Sequence, residues 1–160
     1  MRKLWVAFGV PVLALVLLGL GGCVTVPATS QKAFSQTVKG MFDKWVATCH
    51  AGDVEGWLAL WDEGGIQLPP GAPMNVGKAA IRKAEVPLFA AFKFETFVIN
   101  VTTTYVDRDL GFACGTTTYT LAPTAGGDKM KGDAKFETLF KRQPDGSWKV
   151  FTDTFNSNVP

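Results

Sequence analysis

Apolar residues follow two different periods along this chain. Between residues 31 and 51 they recur at steps of three and four, which predicts an amphipathic helix. Ser30 suits the N-cap of this helix, and Gly52 suits the left-handed position after its end. The apolar stripe of the helix consists of Phe34, Val38, Met41, Phe42, Trp45, Val46 and Cys49.

Two further helices are predicted before residue 92. Asp53 suits the N-cap of a second helix, and the apolar side of that helix is formed by Val54, Trp57, Leu58 and Trp61. Residues 62–65 predict a turn, and residues 66–68 predict a short strand. Gly77 begins a third helix, which we expect Pro87 to end or kink because its ring removes a backbone donor.

From residue 92 onward the period of the pattern changes to two. This part of the chain is rich in Thr, Phe, Val and Tyr and predicts four long strands, at residues 94–106, 110–121, 134–143 and 148–155. The connections are short, and short connections require antiparallel neighbours. We therefore predict an α+β domain in which three N-terminal helices pack on a curved, mostly antiparallel sheet.

The first 23 residues carry a pattern of another kind. Arg2 and Lys3 precede an apolar run at residues 4–18, and Leu20-Gly21-Gly22-Cys23 follows it. This stretch is similar to the signal peptide and lipobox of bacterial lipoproteins. A transmembrane helix is the alternative, since the run is long enough to span a bilayer, but Pro11 and the closing glycines favour cleavage.

The resemblance to lipoproteins implies that residues 1–22 are removed and that Cys23 is acylated. Residues 23–30 then form a tether, and residues 31–160 form the folded domain. Two or more acyl chains hold a protein stably on a membrane, so we expect an exported protein anchored to membrane lipid. Val24, rather than Asp, follows the cysteine, which for this class implies the periplasmic leaflet of the outer membrane.

Charge and cysteine content narrow the classes of function. Two of the 16 basic residues lie in the signal, which leaves 14 basic against 14 acidic side chains and does not indicate nucleic-acid binding. No spacing of His, Cys and carboxylates resembles a zinc site, and we predict no metal and no cofactor. Cys49 and Cys114 can form a disulfide in an oxidising compartment or remain thiols, and the sequence leaves both open.

Several short motifs follow one another over nearly the whole mature chain. They are Ala51-Gly52-Asp53, Leu60-Trp61, Pro69-Pro70-Gly71, Gly77-Lys78-Ala79-Ala80-Ile81-Arg82, Phe112-Ala113-Cys114-Gly115-Thr116-Thr117 and Gly146-Ser147-Trp148-Lys149-Val150. In this order and spacing they resemble the SnoaL-like, ketosteroid-isomerase-like group of the nuclear transport factor 2-like fold. The resemblance implies a cone with a pocket between helices and sheet, and a homodimer formed through the outer face of the sheet.

The isomerase members of this group use a carboxylate base near the short first strand, together with a tyrosine and a protonated aspartate. Here the strand reads Ile66-Gln67-Leu68, and the position of the base corresponds to Leu68. The first helix contains no tyrosine. The resemblance therefore does not extend to isomerase activity.

Three carboxylates are nevertheless candidate catalytic acids or bases, namely Asp62, Glu63 and Asp153. Asp62 and Glu63 lie at a turn beside the expected pocket, although carboxylates flanked by glycines are commonly solvated. His50 could act as an acid or base near neutral pH, or it could bind the free carbonyls at the end of the first helix.

Asp153 lies in the last predicted strand. If it faces the interior, its burial requires a partner such as Lys135 or Arg142. It is then a pocket group or one half of a structural ion pair, and the sequence favours the ion pair.

Large apolar side chains could line the pocket, as they do in most ligand sites, or fill the core. The candidates are Met41, Phe42, Trp45, Trp57, Trp61 and Tyr119. The leading interpretation is a lipid-anchored protein that binds a small hydrophobic molecule without turnover. The alternatives are an isomerase, dehydratase or hydrolase that uses a pocket carboxylate, and an interaction module of the cell envelope.

Overall fold

The computed structural model describes residues 29–158. The predicted signal, Cys23 and most of the tether lie outside these residues. Within them the chain forms three helices and six strands. The helices are α1 (Gln31–Ala51), α2 (Val54–Leu58) and α3 (Lys78–Ala91), and the strands are β1 (Trp61–Leu68), β2 (Asn75–Val76), β3 (Phe92–Asp107), β4 (Leu110–Pro123), β5 (Met130–Arg142) and β6 (Trp148–Ser157).

The predicted ends of the first two helices are confirmed. The Ser30 hydroxyl accepts a 3.2 Å hydrogen bond from the Ala33 backbone N–H at the start of α1. Gly52 follows α1 with a φ of 68°, a left-handed conformation that favours glycine. The Asp53 carboxylate accepts a 2.8 Å hydrogen bond from the Gly56 N–H and caps α2.

The description of three N-terminal helices is only partly matched. As the predicted short strand implies, α3 follows β1 and β2, so only α1 and α2 precede the sheet. Helix α3 begins after Gly77 as predicted and continues through Pro87 to Ala91, so Pro87 does not end it. Pro87 lies on the exposed side of α3, where water can satisfy the carbonyl of Lys83 that loses its helical partner.

The six strands form one sheet in the order β2-β1-β6-β5-β4-β3. Strands β3 to β6 are an antiparallel meander, as predicted, while β1 pairs parallel to β6 and antiparallel to β2. The predicted turn at residues 62–65 instead lies inside β1, where the register against β6 shifts between Trp61 and Ile66. This irregularity lets the strand continue past two glycines without breaking the sheet.

Helix α1 packs on the inner face of the sheet and forms the core with it. Phe34 of α1 is fully buried, and its ring lies 4.8 Å from that of Trp148. A Cβ atom at Gly111 would lie 2.4 Å from the Phe34 ring, so the absence of a side chain on β4 allows the helix to approach. The concave sheet thus covers α1 at this end and leaves a space at the other.

None of the helices between residues 29 and 158 has the length and apolarity needed to cross a membrane. The homodimer implied by the resemblance concerns the opposite, outer face of the sheet, where Val98 and Tyr105 are exposed. It stays a prediction.

Candidate functional site

A cavity of about 180 Å³ lies between the helices and the inner face of the sheet. It opens to solvent beside α3, where Leu88 both lines the cavity and remains exposed. Its apolar lining consists of Phe42, Trp45, Cys49, Trp57, Leu88, Phe89, Phe94, Phe97, Ile99, Leu121, Phe136 and Phe155, and its polar lining of Gln67, Glu85, Thr117, Tyr119, Thr138 and Asp153. A dry cavity of about 150 Å³ accommodates benzene, so this space fits a molecule built on a single ring.

Asp153 of β6 is the one predicted catalytic carboxylate among the lining residues. Its side chain is 6% exposed, and the hydroxyl of Thr138 on β5 donates a 2.6 Å hydrogen bond to its Oδ1. Burial raises the pKa of Asp153 to about 6; the hydrogen bond from Thr138 opposes this rise, and the nearby carboxylate of Glu85 adds to it.

The ion pair that the sequence favoured for Asp153 does not describe this environment. Lys135, one of the two suggested partners, directs its ammonium to the carbonyl oxygen of Ser157 at 2.8 Å. Lys135 lies an odd number of residues from Thr138 on β5, so the two side chains point to opposite faces of the sheet. The ionisable group that acts on Asp153 is a second acid, Glu85.

Glu85 of α3 is a lining residue that the sequence analysis missed. Its Oε1 accepts a 2.7 Å hydrogen bond from the side-chain amide of Gln67, and the Gln67 carbonyl oxygen accepts one of 2.9 Å from Asn75. Burial raises the pKa of Glu85, and the hydrogen bond from Gln67 opposes the rise. Its position four residues after the fully buried Ile81, on the same side of α3, was the signal that could have revealed it.

Thr117 of β4 contributes an unsatisfied hydroxyl. Its side chain is 8% exposed and faces the cavity, yet its Oγ1 has no hydrogen-bond partner among the described residues. A buried hydroxyl without a partner costs free energy, so such a group usually meets water or a ligand.

The other two predicted catalytic carboxylates lie outside the cavity. Asp62 is buried near the start of β1, where it accepts hydrogen bonds from the Gly64 N–H at 2.9 Å and from Gln143 at 2.8 Å. Burial acts to raise the pKa of Asp62, but these hydrogen bonds and the nearby Lys141 together lower it. Glu63 is exposed and forms an ion pair of 2.5 Å with Lys78.

His50 and Leu68 also lie away from the site. The Nδ1 of His50 donates to the carbonyl oxygen of Phe94 at 2.9 Å and ties the end of α1 to β3. On β1 the residue that faces the cavity is Gln67, whereas Leu68 is 37% exposed and does not line it. The strand β1 therefore presents an amide, and not a carboxylate, to the cavity.

Four of the six aromatic and aliphatic candidates line the cavity: Phe42, Trp45, Trp57 and Tyr119. Met41 and Trp61 belong instead to the core beside it. Trp61 is fully buried, with its ring 5.4 Å from that of Trp57 and 5.9 Å from that of Trp45. It thus supports the wall of the cavity from behind.

The two cysteines of the described residues do not form a disulfide. Cys49 and Cys114 are both free thiols, and burial, with a contribution from Glu85, raises the pKa of Cys49, so it stays a neutral thiol. Between residues 29 and 158, no group of three or more His, Cys, Asp and Glu side chains is placed to hold a metal ion.

Helices packed on one curved six-stranded sheet around a pocket define the cone-shaped class of nuclear transport factor 2-like proteins. The chain belongs to the family of the SnoaL-like domain, whose model matches residues 42–150. The resemblance read from the sequence motifs is thus confirmed. No curated protein sequence matches the chain.

Solved structures share this fold at low sequence identity. A ketosteroid isomerase-like protein from Erwinia carotovora atroseptica is 17% identical with a TM-score of 0.70, and the match covers 78% of this chain and 96% of that one. A nuclear transport factor 2-like superfamily protein from Salmonella enterica serovar Typhimurium is 9% identical with a TM-score of 0.70, over 82% and 95% of the two chains. At these identities the likeness establishes the fold, and function has to be argued from the site.

Proposed function

We propose that the protein binds a small, mainly apolar molecule in the cavity between α1, α3 and the sheet, and that it holds this molecule without turnover. The observation that carries the proposal is the buried Thr117 hydroxyl, which has no partner among the described residues and faces a space walled by aromatic side chains. A ligand with a ring and one polar group satisfies both features.

Tryptophan fluorescence tests this proposal directly, because Trp45 and Trp57 line the cavity. We expect 2-phenylethanol to change the emission in a saturable way. Thr117→Phe fills the cavity and should abolish the change. Thr118→Phe is the matched control, since Thr118 is the exposed neighbour on the opposite face of β4. Saturable binding that survives Thr117→Phe would place the ligand elsewhere.

A second candidate function is acid–base catalysis, and the raised pKa of Asp153 in the cavity favours it. An enzyme of this kind would exchange the acidic protons of a bound ketone with solvent. The test is the rate of deuterium incorporation into 2-indanone in D2O, followed by NMR with and without the protein. Exchange that the protein accelerates, and that Asp153→Asn abolishes, would make the protein an enzyme and overturn binding without turnover.

We also propose that Cys23 attaches the protein to membrane lipid, at the periplasmic leaflet of the outer membrane. The Leu20-Gly21-Gly22-Cys23 motif supports this, and residues 24–30 supply a short tether before α1. We expect Cys23→Ala to abolish incorporation of labelled palmitate and to release the processed protein from membranes. Cys114→Ala is the control and should keep the label. A processed Cys23→Ala protein that still sediments with membranes would refute the lipid anchor.

A further inference from the structure

Two carboxylic acids share the cavity without a basic side chain. The titratable residues that line it are Cys49 from α1, Glu85 from α3, Tyr119 from β4 and Asp153 from β6. The lining residues from α2, β1, β3 and β5 carry no titratable group, and no Lys, Arg or His occurs among the described residues that line the cavity. The charge of this site is therefore negative or neutral at every pH.

The hydrogen bonds on both acids favour their ionised forms. Thr138 donates to Asp153, and Gln67 donates to Glu85. The Gln67 amide is oriented by Asn75, which donates to its carbonyl oxygen and thereby directs the Gln67 N–H group at Glu85. A hydrogen bond donated to a carboxyl group stabilises its anion. The ionised Glu85 and Asp153 can then accept hydrogen bonds from a ligand.

Two anions in a cavity of low polarity repel each other and need a positive charge nearby. Both acids line the same cavity, and Gln67, which donates to Glu85, is the register partner of Asp153 on the neighbouring strand. The carboxylate of Glu85 accordingly raises the pKa of Asp153. The part of the chain that the structure describes supplies no cation at this point, so the ligand is the available source. A neutral carbonyl would satisfy only a protonated acid, whereas an ammonium group offers a positive charge and three N–H donors to carboxylates.

The walls of the cavity suit the same ligand. Trp45 and Trp57 line it together with six phenylalanines, and aromatic faces attract ammonium groups while they bury hydrocarbon. The hydroxyl of Thr117 offers an acceptor for a further N–H.

We propose that the cavity is selective for small hydrophobic amines, whose ammonium group binds Glu85 and Asp153 while the ring packs against Trp45 and Trp57. This inference rests on the proposed binding function and names its ligand class.

Matched probes test the selectivity. The dissociation constants of 2-phenylethylamine and 2-phenylethanol are measured at pH 7.5 by tryptophan fluorescence and calorimetry. We expect the amine to bind roughly 10- to 100-fold more tightly, as hydrogen bonds to charged groups imply. Equal binding of the two probes would overturn the amine inference and leave the binding function in place. Saturable binding of neither probe would overturn both.

Substitutions of the two acids test whether their carboxylates bind the ammonium group. Asp153→Asn and Glu85→Gln are close in shape to the native residues, and each should weaken binding of the amine roughly tenfold or more and weaken binding of the alcohol much less. Glu85 is only half-buried, so Glu85→Gln remains informative if Asp153→Asn does not fold. Glu63→Gln removes an exposed carboxylate outside the cavity and should bind the amine as the native protein does. A loss of affinity that is the same for amine and alcohol in both cavity variants would refute the inference.

Discussion

Thr138 and Asp153 face each other across β5 and β6, and the Thr138 hydroxyl donates a 2.6 Å hydrogen bond to the Asp153 carboxylate. This bond is the main protein contact that opposes the effect of burial on Asp153, whose pKa nevertheless rises to about 6. The cavity thus holds a buried acid whose pKa lies above the ordinary value of an aspartate.

The raised pKa of Asp153 makes folding stability depend on pH. The folded state binds a proton at Asp153 up to about pH 6, whereas the unfolded state releases it near pH 3.8. This contribution to stability is therefore complete below pH 3.8, is lost as the pH rises through 6, and amounts to roughly 2–3 kcal/mol. We expect Asp153→Asn to remove this loss, measured by urea unfolding at pH 4, 6 and 8. A variant that keeps the native pH dependence would show that another group causes it.

The same titration should control amine binding. An ammonium group stabilises the carboxylate form of Asp153, so affinity for 2-phenylethylamine should fall as the pH drops below about 6, where Asp153 becomes protonated. Binding near pH 6 should release protons, which calorimetry in buffers of different ionisation enthalpy detects. In Asp153→Asn the affinity should depend less on pH, and affinity that is constant from pH 5 to 8 in the native protein would contradict this prediction.

Thr117→Val should separate stability from binding. The substitution removes a buried hydroxyl that has no partner, so the free energy of unfolding should stay the same or rise by about 1 kcal/mol. Ligand affinity should fall roughly 3- to 10-fold because the hydroxyl no longer contacts the ligand. Thr118→Val, on the outer face of β4, should leave affinity unchanged. A clear loss of stability in Thr117→Val would mean that its hydroxyl is satisfied in solution.

Asp62→Asn should lower stability and leave ligand binding unchanged, which is the opposite of the result expected for Thr117→Val. The pKa of Asp62 is lowered in the folded protein, so its stabilisation is present above pH 3.8 and is lost as the pH falls through the folded pKa. At pH 7 we expect a loss of roughly 1–2 kcal/mol from the weakened bonds to Gly64 and Gln143. Affinity for the probes should not change, since Asp62 lies outside the cavity. Weaker binding without a loss of stability would return Asp62 to the list of site residues.

Substitutions at Trp61 test whether this side chain belongs to the core or contacts the ligand. Trp61→Ala should cost roughly 3–5 kcal/mol because it empties a fully buried site. Trp61→Phe should cost less, since it keeps a ring and removes an indole N–H that has no partner among the described residues. Denaturant unfolding and probe titration should show a change in stability with little change in affinity for Trp61→Phe. The reverse result would mean that Trp61 contacts the ligand.

The periodicity of the sequence was sufficient for most of the fold. The caps at Ser30 and Asp53 follow from local pattern because their contacts join residues close in sequence. The four long strands follow from their period of two and from the short connections between them. Pro87 left two outcomes open for α3, and the helix continues past it because the carbonyl that loses its partner lies on an exposed face and can bind water. The strand through residues 62–65 could not be foreseen, since its pairing partner on β6 lies far along the chain.

The site was less predictable for the same reason. Asp153 and the rings of Trp45 and Trp57 were identified by residue type, but a strand's inward face depends on a register that the sequence does not give. Glu85 was not predicted because the apolar side of α3 is short, and only the fold shows that a carboxylate four residues after Ile81 faces the cavity. Whether Gln67 or Leu68 faces the cavity depends on a shift of one residue in the register of β1 against β6.

The position of β6 in the sheet has a consequence for the order in which the site can form. Gln67 of β1 and Thr138 of β5 are the register partners of Asp153 on its two sides, so β6 joins the β1–β2 pair to the other three strands of the sheet. Until β6 is inserted, β1 and β5 each present an unpaired edge and the two acids of the cavity remain apart. A chain that lacks β6 therefore also lacks Asp153, and nothing joins β1 to β5, so neither part of the sheet can present both acids to one ligand.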